Sequence, residues 1–253
     1  MGLTPSLVAA ACGQTYPIGI AALGYVAFLN ERGEPAGYAV DQIRELERRT
    51  GCTFEVEILP GERLRRLGQL HQLAATPFTG KPPNDDAGRT WIGLSTNSMD
   101  LVVRADLAPS EADLQKILND PGLVVGTVRG LNYGPAVQAM LDQLPASRRD
   151  VSDDESALAR KFVAGRINAT PGFALVYRRW LDREGLADAT VAVPIASAGR
   201  IPGGWTLWRP PLTDADQQRI TSALRAMRDD GTEERLLARY IGRTQATLAR
   251  FRD

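Results

Sequence analysis

The chain has 253 residues, enough for one large domain or for two of ordinary size. Its 30 Lys and Arg residues balance 30 Asp and Glu residues, so the net charge is zero and no basic surplus is available to neutralise phosphates. This composition argues against nucleic acid as a partner. The longest apolar stretches, at positions 7–12 and 18–29, are too short or too interrupted by glycine to span a bilayer, which needs about 20 apolar residues.

The first eleven residues end in small side chains, as the end of an export signal does, but they lack a basic start and a full apolar region. We interpret them as the remains of a processed export signal preceded by an added Met-Gly. This interpretation predicts an exported, periplasmic protein.

The only two cysteines, Cys12 and Cys52, fit either one disulfide in an exported protein or two free thiols in a cytosolic one. Each stands just before a predicted apolar strand, at 16–21 and 53–58 respectively. If those strands are parallel neighbours, both cysteines lie at one edge of the sheet, close enough to bridge. We therefore predict a disulfide.

The first part of the chain predicts alternating strands and helices. After the strand at 16–21 and a loop, Val40, Ile43 and Leu46 recur at spacings of three, which indicates an amphipathic helix over 38–49 that ends near Gly51. The strand at 53–58, a helix over 62–70 and a short strand at 73–76 follow. This order is typical of a parallel sheet with crossover helices.

A long loop is predicted over 77–90, where three prolines and two glycines oppose regular structure. It follows the carboxyl end of a strand, which is where open α/β sheets place ligands. Apolar segments at 91–93 and 101–103 come next, and 104–108 is predicted to cross into a second lobe.

The second lobe is organised around positions 123–137. Leu123, Val124 and Val125 predict a buried strand, Gly126 and Gly130 permit sharp turns, and residues 132–135 open a helix that runs to about 144. The first amides of a helix have no internal partner and can bind a carboxylate or a phosphate. A purely structural strand–turn–helix remains the alternative.

The remaining pattern completes two α/β lobes, the second inserted into the first. A helix over 110–118 with Ser110 as its cap precedes the central stretch, and Thr213 with Asp216 caps a helix that runs to 227. Other predicted elements are helices at 156–163, 173–183 and 233–240 and strands at 166–170, 190–194 and 205–208. We expect lobe 1 to comprise 12–104 and 197–253, and lobe 2 to comprise 105–196.

Several short motifs carry a resemblance to a known family across nearly the whole chain. They are Gly37-Tyr38-Ala39-Val40-Asp41 followed by Gly51, Asp86-Ala87-Gly88-Arg89 followed by Ser95, the strand and turn Val125–Gly130, Gly165-Arg166-Ile167-Asn168, and Arg239-Tyr240-Ile241-Gly242. In order and spacing, the sequence resembles the extracellular solute-binding proteins of family 3, the amino-acid type of the type II periplasmic binding fold. A subset of that family resembles this chain in having cysteines at the positions of Cys12 and Cys52.

The resemblance implies a two-lobed clamp, each lobe a mostly parallel sheet with flanking helices, joined by two hinge crossings. Such a clamp closes on a small carboxylate-bearing solute, an amino acid or related organic acid, and delivers it to an inner-membrane ABC permease. It implies a monomeric binding protein without catalysis, cofactor or metal.

The resemblance also implies a ligand-binding set. Arg89 matches the arginine that pairs with the ligand carboxylate, and the segment after the second-lobe strand supplies backbone amides. Aromatic side chains at strand ends are expected to enclose an apolar body. The predicted set is Tyr25, Thr76, Phe78, Arg89, Thr96, Gly130, Leu131, Asn132, Tyr133 and Phe173.

One departure narrows the expected solute. Phe173 stands where the family places an aspartate for the ligand ammonium, and a buried ammonium without a counter-charge would be costly. We therefore expect a carboxylate with an apolar or aromatic body rather than an ordinary α-amino acid. His71, the only histidine, is expected to be structural.

Two other functions remain open. The same clamp can act as a sensor that passes closure to a separate signalling partner. Alternatively it has acquired catalysis, as relatives resembling dehydratases have, and Asp85 and Asp86 are then the only evident acid or base candidates.

Overall fold

The computed structural model describes residues 12–83, 88–107, 113–131 and 133–251, so the predicted export-signal remnant lies outside the described residues. Within these ranges the chain divides into two compact units. Unit 1 contains the described residues up to Ala22, Val26–Ser95, and the residues from Pro202 onward. Unit 2 contains Leu23–Tyr25 and Thr96–Ile201.

Twelve strands and nine helices of the α type are present in the described ranges. The strands are β1 (Thr15–Ala21), β2 (Phe28–Leu29), β3 (Pro35–Ala36), β4 (Thr53–Leu59), β5 (Ala75–Gly80), β6 (Arg89–Ser98), β7 (Asp100–Arg104), β8 (Val125–Val128), β9 (Arg149–Ser152), β10 (Ala169–Gly172), β11 (Thr190–Pro194) and β12 (Arg200–Trp208). The helices are α1 (Tyr38–Thr50), α2 (Gly61–Gln69), α3 (Leu114–Asn119), α4 (Pro135–Asp142), α5 (Glu155–Val163), α6 (Ala174–Arg183), α7 (Asp214–Asp229), α8 (Thr232–Ile241) and α9 (Arg243–Leu248). None of these helices combines the length and apolar character needed to cross a membrane.

Unit 1 is built on a five-stranded sheet in the order β4-β1-β5-β12-β6. The strands β4, β1 and β5 run parallel, and β12 pairs with β5 in the antiparallel direction. Tyr16, Ile18 and Ile20 on β1 are fully buried, since this strand has neighbours on both sides and helices on its faces. The predicted helix with Val40, Ile43 and Leu46 is α1, and it ends at Gly51 in the left-handed conformation.

The disulfide predicted from strand adjacency is confirmed. β1 and β4 pair in register from Thr15 opposite Thr53 to Ala21 opposite Leu59. Cys12 and Cys52 therefore lie at the same end of two neighbouring strands. Their sulfurs are bonded, and their Cα atoms are 4.6 Å apart. The bond closes a loop with a sequence separation of 40 residues.

Removing this bond should weaken unit 1 without changing its fold. Cys12→Ser combined with Cys52→Ser should lower the free energy of unfolding by about 4 kcal/mol at most, because the open loop regains entropy in the unfolded chain. Urea unfolding with and without reductant measures the loss. Reductant should destabilise the wild-type protein and leave the double variant unchanged, and equal stability of the two oxidised proteins would contradict the assignment.

A buried polar network links α1, α8 and β12 in the core of unit 1. Gln42 donates through Nε2 to the Glu233 carboxyl at 2.9 Å and accepts from the Trp205 indole at 3.0 Å. The Tyr38 hydroxyl accepts a further bond from Nε2 of Gln42 at 2.9 Å. Glu233 is only 3% exposed, and burial raises its pKa well above the ordinary value of 4.5.

The raised pKa of Glu233 predicts that folding binds a proton. Its stabilising contribution is complete below the unfolded pKa near 4.5 and is lost as pH rises through the folded pKa. Glu233→Gln keeps the shape but cannot ionise, so its stability should fall less than that of the wild type between about pH 5 and 8. Urea unfolding across this range measures the difference. The exposed Glu31→Gln should follow the wild-type curve, and a Glu233→Gln curve that does the same would disprove a proton bound on folding.

Unit 2 is built on a second five-stranded sheet in the order β11-β7-β10-β8-β9. β10, β8 and β9 are parallel, whereas β7 pairs with β10 and β11 in the antiparallel direction. One apolar cluster packs α3 and α4 against the sheet, and a second contains the Phe162 and Trp180 rings of α5 and α6. Each face of the sheet is thus covered by helices.

Several predicted boundaries differ from the observed ones. The units divide at Ser95/Thr96 and Ile201/Pro202 rather than at 104/105 and 196/197, because β7 belongs to the unit 2 sheet and β12 begins earlier than predicted. Asp113, not Ser110, caps α3, since its carboxylate accepts from the Gln115 amide at 2.9 Å. Ser110 lies outside the described residues. The predicted Thr213 cap is confirmed, with its hydroxyl accepting from the Asp216 amide at 3.2 Å.

The predicted loop at 77–90 is shorter than expected. β5 continues to Gly80, so Pro77 and Phe78 lie inside a strand, and β6 begins at Arg89. Antiparallel pairing with β12 supplies the hydrogen bonds that hold this part of β5 extended.

Candidate functional site

In unit 1, the carboxyl ends of the parallel strands meet at one edge of the sheet. Thr76 and Phe78 both lie on β5, Thr76 near its amino end and Phe78 toward its carboxyl end. Thr76 is 4% exposed, and its buried hydroxyl has no hydrogen-bond partner in the described part of the chain. Phe78 is partly buried and has a φ of 55°, which is uncommon for a residue with a bulky side chain. The structure therefore places these two predicted site residues together.

Arg89, the predicted carboxylate partner, stands next to the last residues of β12. The carbonyl of Gly88 accepts from the Arg209 amide at 2.7 Å. The neighbouring Trp208 amide donates to the Ala74 carbonyl at 3.0 Å, just before β5 begins. Arg89 is therefore level with the amino end of β5.

The carboxyl end of β5 lies at the opposite edge of the same sheet. There Gly80 pairs with Gly203, which is in the first half of β12. Because β5 rises about 3.3 Å per residue, its two ends are separated by the length of the strand. Arg89 and Phe78 therefore lie toward opposite edges of the unit 1 sheet, and the role of Arg89 as the carboxylate partner stays a prediction.

In unit 2, Thr96 is held by a neighbouring arginine. The guanidinium of Arg200 donates to the Thr96 hydroxyl at 2.9 Å, to its carbonyl at 3.1 Å and to the Ser98 hydroxyl at 2.7 Å. Nearby, the Tyr177 hydroxyl donates to the Asp100 carboxylate at 2.8 Å. Burial raises the pKa of Asp100, and the charge of Arg200 opposes that effect. Thr96, near the end of β6, is thus bonded to Arg200, the first residue of β12.

The predicted amide segment follows β8. Gly130 is exposed with a φ of 76°, as the turn requires, and the Leu131 amide donates to the Val128 carbonyl at 3.3 Å. Leu131 is 43% exposed. Asn132 lies outside the described residues. The Leu131 amide is therefore used within the turn.

Tyr133 closes this turn. Its hydroxyl oxygen accepts from the Val128 amide at 2.9 Å, so its own proton is left to donate elsewhere. Burial raises the pKa of Tyr133, and the nearby Glu155 carboxylate adds to the shift. Tyr133 is therefore neutral and polar at the carboxyl end of β8.

Phe173 and Tyr25, the two remaining predicted site residues, both lie in unit 2. Phe173 precedes α6 and packs against the apolar cluster of unit 2. Tyr25 belongs to unit 2, where its amide donates to the Leu175 carbonyl at 2.6 Å and its hydroxyl to Asp182 at 2.8 Å. Burial and Asp182 raise the pKa of Tyr25.

Sequence reasoning missed a contact between Gly24 and Glu155 in unit 2. The Gly24 amide donates to Oε2 of Glu155 at 3.1 Å. A β-carbon on Gly24 would lie 2.4 Å from the Val176 carbonyl oxygen, and its φ of 45° is in the left-handed region. No sequence motif marks either residue, because their contact joins positions far apart in the chain.

The close packing of Gly24 against the backbone of α6 predicts that a larger residue at this position destabilises the protein. Gly24→Ala should destabilise the protein by about 1–3 kcal/mol beyond a control, because the added methyl group meets rigid backbone. Gly33→Ala is that control, since Gly33 has a similar positive φ of 75° with open space around it. Urea unfolding of both variants checks the difference. Equal losses would show that residues 23–25 do not pack on α6.

His71 has a φ of 54°, and Nδ1 of its imidazole is buried without a hydrogen-bond partner among the described residues. In the same ranges, no three His, Cys, Asp or Glu side chains come close enough to hold a metal ion. Asp85 and Asp86 lie outside the described residues.

No family model and no curated protein matches this sequence. Solved structures do match its fold. The probable amino-acid ABC transporter extracellular-binding protein YtmK from Bacillus subtilis superimposes with a TM-score of 0.70 at 16% identity, covering 90% of this chain and 98% of that one.

Two further structures show the same fold. A histidine kinase sensor domain with similarity to periplasmic binding proteins has a TM-score of 0.67 at 17% identity, covering 90% of this chain and 96% of the other. The ancestral amino acid-binding protein AncCDT-1, a precursor of cyclohexadienyl dehydratase, has a TM-score of 0.65 at 18% identity, covering 90% and 95%. The predicted type II periplasmic-binding-protein fold is thereby confirmed.

Proposed function

We propose that this chain binds a small carboxylate-bearing solute, an amino acid or related organic acid, and delivers it to an inner-membrane ABC permease. The observation that carries the proposal is the connection between the units. β6 begins in unit 1 and ends in unit 2, and β12 returns in the same way, so the units are joined by two continuous strands. Two such connections suit a hinge that bends when a ligand engages both units.

The disulfide supports a periplasmic location. Bonds of this kind form and persist in oxidising compartments and are rare in the cytosol. The Cys12–Cys52 bond closes a long loop between the first two paired strands of unit 1. An exported protein that works outside the inner membrane fits this feature.

The turn after β8 supports recognition of an anion. The exposed backbone at Gly130 and the proton of the Tyr133 hydroxyl are both donors at the carboxyl edge of the unit 2 sheet. Open α/β sheets bind ligands at this edge, and backbone donors there can bind an anion. We assign the solute carboxylate to this turn, and Arg89 stays the predicted alternative, which the arginine variant below tests.

A ligand panel tests this function. Amino acids and small organic acids are added to the purified protein, and a true solute at about 100 times its Kd should raise the free energy of unfolding by about 2.7 kcal/mol. Thermal unfolding measures the stabilisation, and titration calorimetry gives the Kd.

An arginine variant tests whether Arg89 binds the solute carboxylate. Arg89→Gln should leave the Kd within about twofold of the wild type, since Arg89 belongs to unit 1 and the carboxylate is assigned to a turn of unit 2. If no compound stabilises the wild type, the binding function is wrong. A large loss of affinity in Arg89→Gln would restore the original assignment of that residue.

A sensor role is the second candidate, and the likeness to a histidine kinase sensor domain favours keeping it. In that role ligand binding would be read by a separate signalling protein. Capture of membrane partners with and without the ligand found in the panel distinguishes a permease from a kinase. An enzyme on this fold is the third candidate, and conversion of a panel compound to product would identify it.

A further inference from the structure

Arg200 ties together the two strands that connect the units. It is the first residue of β12, and its guanidinium reaches two residues near the end of β6. Nη1 donates to the Ser98 hydroxyl at 2.7 Å, and Nη2 donates to the Thr96 hydroxyl at 2.9 Å and to the Thr96 carbonyl at 3.1 Å. All three residues belong to unit 2. Because a guanidinium is a planar fork with fixed donors, it can hold several acceptors in one geometry.

These bonds lie directly beside the two crossing points. β6 passes from unit 1 into unit 2 between Ser95 and Thr96, and β12 passes back between Ile201 and Pro202. Thr96 is therefore the first residue of β6 inside unit 2, and Arg200 is the last but one of β12 before that strand leaves. β6 and β12 are also neighbours in the unit 1 sheet. A side-chain contact at this position fastens one crossing strand to the other.

A tight turn brings the chain into β12 at Arg200. Residues Ala196–Ala198 form one turn of 3-10 helix, and the Gly199 amide donates to the Ala196 carbonyl at 3.0 Å. Gly199 has a φ of 63°, a conformation that favours glycine. β12 therefore begins at a defined residue, with Arg200 beside the end of β6.

The Arg200 contacts are anchored in the interior of unit 2. Thr96 is 8% exposed, and Asp100, the first residue of β7, is 7% exposed. The Tyr177 hydroxyl of α6 donates to the Asp100 carboxylate at 2.8 Å. Burial raises the pKa of Asp100, and the nearby charge of Arg200 opposes that rise. The guanidinium thus lies close to a carboxyl group that is fixed to β7 and α6.

Only a short link separates Arg200 from the unit 1 sheet. Gly203 pairs with Gly80 of β5, so β12 is part of that sheet from this point onward. The intervening residues are Ile201 and Pro202, and Pro202 has no amide hydrogen to donate to a neighbouring strand. The link therefore lies between two segments that are each held by their neighbours.

We propose that Arg200 is a positioning residue for solute binding: it clamps β6 to β12 on the unit 2 side of the crossings and confines the hinge to the links 95–96 and 201–202. The inference rests on the proposed binding function and concerns the regulation of the same site. Without the clamp the two strands bend independently, so a smaller fraction of the ligand-free protein is ready to bind. The apparent affinity falls with that fraction, although Arg200 is assigned no contact with the solute.

The test measures the hinge and the affinity in the same variants. Arg200→Gln removes both the charge and the fork, whereas Arg200→Lys keeps the charge but presents it as a single point. Arg160→Gln is the matched control, since Arg160 is an exposed arginine on α5, elsewhere in unit 2. Each variant is compared with the wild type.

Spin labels report the motion of the hinge without any solute. The two native cysteines are bonded to each other, so labels attach at Arg44→Cys on α1 and Lys116→Cys on α3, one exposed position in each unit. Pulsed electron paramagnetic resonance gives the distribution of distances between the labels. Arg200→Gln should broaden this distribution in the ligand-free protein, Arg200→Lys should broaden it less, and Arg160→Gln should match the wild type.

Titration calorimetry then measures the affinity for the amino acid or small organic acid that stabilises the wild type most in thermal unfolding. Because Arg200 is exposed, we expect a modest loss, with a Kd about 3- to 10-fold weaker in Arg200→Gln and unchanged in Arg160→Gln. Ser98→Ala removes one acceptor and should weaken binding less. Adding Ser98→Ala to Arg200→Gln should cost nothing more, because both changes break the same contact.

Each outcome decides the inference. A broader distribution together with a weaker Kd in Arg200→Gln supports it. A weaker Kd with an unchanged distribution overturns it, because Arg200 then acts on the solute itself, and an unchanged Kd overturns it whatever the distribution does. Should Arg200→Gln fail to fold, Ser98→Ala decides by the same two measurements. If no compound binds the wild type, the proposed function itself fails and the inference falls with it.

Discussion

The structure depends on parallel strands that end together. In unit 1 the register of β1 with β4 sets the disulfide at one edge of the sheet and the ends of β4, β1 and β5 at the other. In unit 2 the parallel set β10-β8-β9 brings the turn after β8 beside the start of α5. Strand direction therefore decides which residues can cooperate, since a side chain at the wrong end is separated by the length of the strand. The placement of Arg89 follows from this rule alone.

Both units contain buried polar groups. In unit 1, the interior carboxyl of Glu233 is satisfied by Gln42, which in turn is held by Trp205 and Tyr38. In a network of this kind the buried polar groups are paired with one another, which fixes one arrangement of the core. In unit 2, Ser152 and Glu155 retain acceptor capacity at a sheet edge.

Much of the fold was accessible from the sequence because its signals are local. The spacing of Val40, Ile43 and Leu46 predicts α1, and Thr213 with Asp216 predicts the start of α7. The Cys12–Cys52 bond followed from one assumption, that the strands after the two cysteines are neighbours. The site was less accessible. The edge of the sheet at which Arg89 lies could not be predicted, because the length of a loop does not say at which edge it ends. The contact between Gly24 and Glu155 was missed because the two residues are remote in sequence.

The order of the units along the chain has a consequence for how the protein is made. Unit 2 is almost continuous, and all of its strands lie between Thr96 and Ile201, so they are synthesised before β12 exists. The unit 1 sheet cannot close until β12 fills the place between β5 and β6. An emerging chain can therefore assemble the second unit first, while the amino-terminal strands wait with an open sheet. During that interval the exposed edge of β5 is the part of the molecule most in need of protection from aggregation.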